Sequence, residues 1–160
     1  MYPWLKFLHV LAIFGFLMAH GVTVSVYFTL RHQRDVDRIR MLLQMSSSAL
    51  VIMDLSLLLL LVSGIIAGFI GQWWSHVWIW LSLGLLIALL GAMEMLGVRT
   101  FNAIRLGVGL ASSRGQKQLP ELMSAADLDS LLSRTQPMRL TVVGFGGLAV
   151  IGWLMVFKPF

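Results

Sequence analysis

The chain contains no cysteine, and only 12% of its residues are charged. The missing cysteine excludes disulfides, thiolate-ligated iron–sulfur clusters and covalent haem attachment through Cys-x-x-Cys-His. It says nothing about compartment. The low charge excludes an ordinary soluble domain, in which about a quarter of residues are charged. Also missing are a nucleophile–base motif, a phosphate-binding loop, a Walker sequence and a zinc-protease motif. Ser46-Ser47-Ser48 has no identifiable base partner and reads as backbone and helix–helix hydrogen bonding. What fills the space is apolar: 58% of the 160 residues are hydrophobic, and mean hydropathy is +0.86. A bilayer core takes roughly 20 apolar residues per helical span. These residues therefore hold four spans and one sizeable polar loop, with no room for a large extramembrane catalytic domain.

The expected fold class is an all-α integral membrane protein, a four-transmembrane-helix bundle forming one domain over 1–160. The spans read as about 4–30, 47–70, 77–98 and 140–157. The first is interrupted by Lys6, His9 and His20, the second contains Asp54 and the third Glu94. The first run lacks a preceding basic region and a small-x-small cleavage site, so it reads as a retained helix. A short turn at 72–76 makes spans two and three antiparallel neighbours. Of the two polar loops, 31–46 and 99–139, the second is partly ordered. The stretch 99–110 is expected to extend span three as helix, and 112–118 is polar and flexible. Ser124-Ala-Ala-Asp127 resembles a capping box. Leu128, Leu131 and Leu132 then follow at helical spacing, which predicts a short interfacial helix before Pro137 and span four.

Net charge is +5, yet the basic residues follow topology. Arg31, Arg34, Arg38 and Arg40 lie in one loop, and Arg99, Arg105, Arg114, Lys117, Arg134 and Arg139 in the other. Only Lys6 and Lys158 fall on the opposite side. The positive-inside rule then makes both loops cytoplasmic and both termini external, and topology rather than a nucleic-acid partner explains the charge; the membrane expected is the bacterial inner one, as the resemblance given below implies. Trp4, Trp73, Trp74, Trp78, Trp80 and Trp153 gather toward the outer side, where indoles favour the headgroup region.

An ionisable residue inside a span costs at least about 2.5 kcal/mol at the helix centre and needs a reason. At 1.5 Å rise per residue, His9 falls roughly 7 Å below the outer surface, near His76. On the same rise, His20, Asp54 and Glu94 fall at roughly 24–27 Å. His9 and His20, three turns apart, point in nearly the same direction. The outer pair His9 and His76 has the residue type and helix placement of axial ligands to a b-type haem. The same two residues also read plainly as a helix-bonded histidine and a loop histidine. The inner trio His20, Asp54 and Glu94 suits a cation site or a proton relay. With Met18, Met53, Met93 and Met95 nearby, a Cu(I) site is a further reading, and charge neutralisation of Asp54 and Glu94 by His20, or by Arg31 or Arg99 from the inner boundary, is another. Gly64, Gly68, Gly144 and Gly147 permit close helix approach, within the chain or toward other membrane subunits or a second copy.

The opening Trp4-Leu5-Lys6-Phe7-Leu8-His9-Val10-Leu11-Ala12 resembles the first helix of a group of small bacterial membrane proteins. That group includes copper-resistance D-like proteins and J-type protoporphyrinogen oxidases. The resemblance implies a four- or five-helix bundle associated with b-type haem, with His9 as the matching residue. No second motif of the oxidases follows, which argues against enzymatic activity. Three functions stay open: a haem-binding electron-transfer or redox-accessory subunit, a non-catalytic structural subunit of a larger membrane complex, and a small proton- or metal-handling transporter.

Overall fold

A computed structural model describes residues 2–112 and 122–159. Arg114, Lys117 and most of the polar 112–118 stretch lie outside the described residues. The described chain is helical, without strands: α1 (Tyr2–Leu30), α2 (Val36–Gly71), a 3-10 turn at Trp73–Ser75, α3 (Val77–Met93), a π-helical segment at Glu94–Val98, α4 (Arg99–Gly107), α5 (Ala125–Ser133) and α6 (Pro137–Phe157). Four helical stretches are long and apolar enough to cross a membrane. They run up and down, so the bundle has a turn face, holding Trp73–Ser75, and a loop face, holding α4 and α5.

Helix boundaries differ from the apolar runs because helices do not stop where hydropathy does. The second helix begins at Val36, eleven residues before its apolar run. Asp35 caps it by accepting from the Asp37 amide at 3.0 Å. Arg38 and Arg40 then pair with Asp35 and Asp37 one turn away, as charged residues three apart on a helix do. At the other end Gln72 adopts a left-handed φ of 53° and its amide closes onto Gly68 and Phe69 carbonyls. The expected continuation of span three is present as α4. A π-helical turn joins it to α3.

Close packing pairs α1 with α2 and α3 with α6, while α6 also touches α1. Small residues explain the pairing. Gly15 of α1 faces Ser56 of α2, and Gly147 of α6 faces Leu89 of α3. The expected α2–α3 neighbourhood is confined largely to the turn itself. Two apolar clusters fill the bundle. The one nearer the turn face contains Ala12, Phe16, Leu60, Leu86, Leu89 and Ile151. The one at the loop face joins Leu30, Ile39, Leu43 and Ile104 to Leu128 and Leu132 of α5.

That last contact changes the role expected of α5. Its N-cap is as read, with Ser124 accepting from the Asp127 amide and donating to Asp127 Oδ2 at 2.6 Å. Leu128 and Leu132 are buried against the bundle, Leu131 is half-buried, and an exposed Arg34–Asp129 ion pair lies at its rim. The helix is therefore a lid on the loop face. All six tryptophans sit toward the turn face, where Lys158 Nζ stands 4.0 Å from the Trp73 ring centroid.

Candidate functional site

The two levels of polar residues selected from the sequence separate once azimuth is fixed by packing. His9 is half-buried against α2: its Nδ1 is 2.9 Å from Ser63 Oγ. Ser63 in turn donates to the Leu59 and Leu60 carbonyls at 2.6 and 3.1 Å. Gly64 leaves the room, since a Cβ there would lie 3.2 Å from His9 Cε1. Ser63 is eight residues before the end of α2, so the imidazole lies about 12 Å along the helix from its last turn. His76 lies past that end, exposed, at the N-cap of α3, with Nδ1 3.3 Å from Ser75 Oγ. His9 is thus bonded at the α1–α2 contact, and His76 stands exposed in the turn.

The inner trio is also spread out. Asp54 lies on the exposed surface of α2, and Glu94 is half-buried at the first residue of the π segment. Among the described residues, no three His, Asp or Glu side chains form a group able to hold a metal ion.

His20 is different. It is 2% exposed, and its Nε2 has no hydrogen-bond partner. The ring is stacked on Phe16 at a centroid distance of 6.4 Å and tilted against Phe145 at 5.0 Å. It lies directly over Gly144: a Cβ there would stand 2.6 Å from Cε1 and nearer still to Nε2. His9 and His20 share a direction on α1, but α1 meets α2 beside the first and α6 beside the second.

His20 also lines a cavity of about 40 Å³ where α1, α2, the π segment, α4 and α6 converge. Thr23, Tyr27, Ser46, Met53 and Met93 border it, and the surface that faces the space is almost wholly apolar. Ser46 is fully buried, and its hydroxyl has no partner. Tyr27 donates to the Gly97 carbonyl at 2.7 Å and stacks on Phe101 at 5.6 Å. This ties α1 to the π segment, a feature often found at functional sites. Among the described residues, Tyr27 is the only other ionisable side chain in the wall. At about 40 Å³ the space exceeds the roughly 10–15 Å³ that one water requires. Unmet buried polar groups of this kind call for a water, an ion or a chemical role.

The glycines named for docking serve the chain itself. Gly64 receives His9, Gly68 receives Trp74 and Ile79, Gly144 receives His20 and Gly147 receives Leu89. Gly84, Gly91, Gly146 and Gly152 instead face open space. Sequence reasoning missed Tyr27 and Thr23; a tyrosine seven residues from His20, on the same helical face, was the available signal.

Comparison with protein-family models, curated proteins and solved structures finds no match for this chain.

Proposed function

We propose that the chain is a proton-handling membrane protein of the carrier class, with His20 as its proton-binding group. One observation carries this reading: a 2%-exposed imidazole inside an apolar bundle, its Nε2 unpartnered, on the wall of a cavity sized for water. Burying an unpaired polar nitrogen costs stability, and imidazole is the side chain whose charge changes near neutral pH. An intramembrane ionisable residue of this kind marks a proton or ion pathway by default. Among the described residues no carboxylate or cation lines the cavity, so His20 exchanges its proton with water rather than with a fixed partner. The cluster of Ala12, Phe16, Leu60 and Leu86 closes the way to the turn face. Transfer across the bundle then requires repacking of helices, which makes it a carrier and not an open pore.

The Lys and Arg distribution supports a cytoplasmic loop face, with both chain ends external, in a bacterial inner membrane. A haem reading built on His9 and His76 has no comparable support in their placement.

The test is proton movement in reconstituted vesicles holding an internal pH dye and an imposed pH gradient. The gradient collapses faster than in protein-free vesicles. His20→Phe, which fills the site without a titratable group, returns the rate to the protein-free value. His32→Ala, in the exposed 31–35 connection, leaves it unchanged. A wild-type rate equal to that of protein-free vesicles overturns the function.

A further inference from the structure

We infer that His9 is a second proton-binding site, its neutral ring held by Ser63 as the Nδ1–H tautomer, so that Nε2 is the lone pair that takes the proton. The site goes beyond the reading of His20 and does not depend on it. His9 stands about 16 Å from His20 along α1, toward the turn face.

The tautomer follows from counting protons. Ser63 Oγ lies 2.6 Å from the Leu59 carbonyl oxygen and 3.1 Å from that of Leu60. Two oxygens as close as the first pair repel unless a proton lies between them. A carbonyl has none to give, so the single hydroxyl proton of Ser63 is committed to its own helix. Ser63 Oγ therefore meets His9 Nδ1, at 2.9 Å, with lone pairs only. A hydrogen bond there needs its proton on the ring. Ser63 is 2% exposed, so bulk water does not compete for its oxygen. In a neutral imidazole one nitrogen donates and the other accepts, and the bond made by the first fixes the second. Nε2 is left bare.

The rest of the setting suits a proton at Nε2. A Cβ on Gly64 would stand 3.2 Å from Cε1 and 3.6 Å from Nδ1, so the Nδ1–Cε1 edge is the one turned to α2. The ring as a whole is half-buried, which leaves the Nε2–Cδ2 edge as its open side. Both nitrogens donate in the imidazolium. The bond to Ser63 thus survives protonation unchanged, and the cation forms without repacking. Lys6, one turn earlier on α1, is the nearest charged residue in sequence. On the other spans no ionisable side chain lies between Asp54 and Gly71 of α2, between His76 and Glu94, or between Arg139 and Lys158. No carboxylate on these stretches competes with Ser63 for the ring.

Nitrogen NMR of the reconstituted protein with ¹⁵N-labelled histidine reads both ring nitrogens. The His9 signals are assigned by their loss in His9→Phe, or by elimination with His20→Phe, His32→Ala and His76→Ala, the other three histidines of the chain. At alkaline pH the His9 ring should show one-bond coupling to hydrogen at Nδ1 and none at Nε2. Lowering the pH should add a proton at Nε2 reversibly while Nδ1 keeps its own. Ser63→Ala removes the acceptor and should populate the Nε2–H form that an unconstrained imidazole prefers. The wild-type spectrum carries the test if Ser63→Ala does not fold. A wild-type ring with its proton on Nε2, or an Nε2 that stays bare at every pH where the fold survives, overturns the inference. So does a Ser63→Ala ring that remains wholly Nδ1–H. The expected tautomer and titration in a protein without vesicle proton flux remove the proposed function and leave the His9 site standing; flux with an Nε2–H ring does the reverse.

Discussion

Gly144→Ala is expected to cost about 3 kcal/mol of stability, the upper end for inserting a single methyl into a packed interior. The added Cβ would lie 2.6 Å from His20 Cε1 and closer to Nε2, a separation real atoms do not reach. Phe16 and Phe145 both pack on the imidazole, so it cannot give way without breaking those ring contacts. Either α6 moves off α1 or His20 leaves its rotamer, and both remove the site. Gly146→Ala is the control two residues away. A Cβ there meets nothing within 4 Å, and helix propensity favours alanine by roughly 1 kcal/mol. Denaturation of the two variants in detergent micelles should separate them by at least about 3 kcal/mol. Equal stability would mean that α6 does not pack on His20.

Arg105→Met is expected to cost about 3 kcal/mol, since one buried guanidinium satisfies three acceptors on two different segments. Methionine preserves the length of the stem and removes the donors. The Leu43 and Ala111 carbonyls and the Ser47 hydroxyl lose their shared partner, so the connection after α4 detaches from α2. Amide exchange over 108–112 should rise while exchange in the middle of α3 stays protected. Arg105→Lys restores only part of the loss, because an ammonium does not reproduce the planar fork. If Arg105→Met leaves exchange at 108–112 unchanged, α5 and Arg40, which donates to the Val108 carbonyl at 2.9 Å, hold the loop face without it.

Hydropathy made four long helices legible, and the Ser124 cap marked α5 before any coordinates. Rise per residue gave depth along each helix. It carried no information about which helix each side chain would face, and the site depended on that. His9 and His20 share a direction on α1, yet one is satisfied by Ser63 on α2 and the other lies unpartnered over Gly144 on α6. Asp54 shares the estimated depth of His20 but lies on the exposed surface of α2. The glycine spacings suggested close approach correctly; the partners turned out to be His9, Trp74, His20 and Leu89 of the same chain. The π segment had no sequence signature beyond Gly97, and without it Tyr27 has no carbonyl to bind.

The most direct test of a working imidazole at the bundle centre is nitrogen NMR of the reconstituted protein with ¹⁵N-labelled histidine, its His20 signal assigned by its loss in His20→Phe. Lowering the pH should convert that signal reversibly from the neutral to the protonated form, with ring-proton exchange into water. A His20 ring that stays neutral and out of exchange with water at every pH where the fold survives would contradict the account.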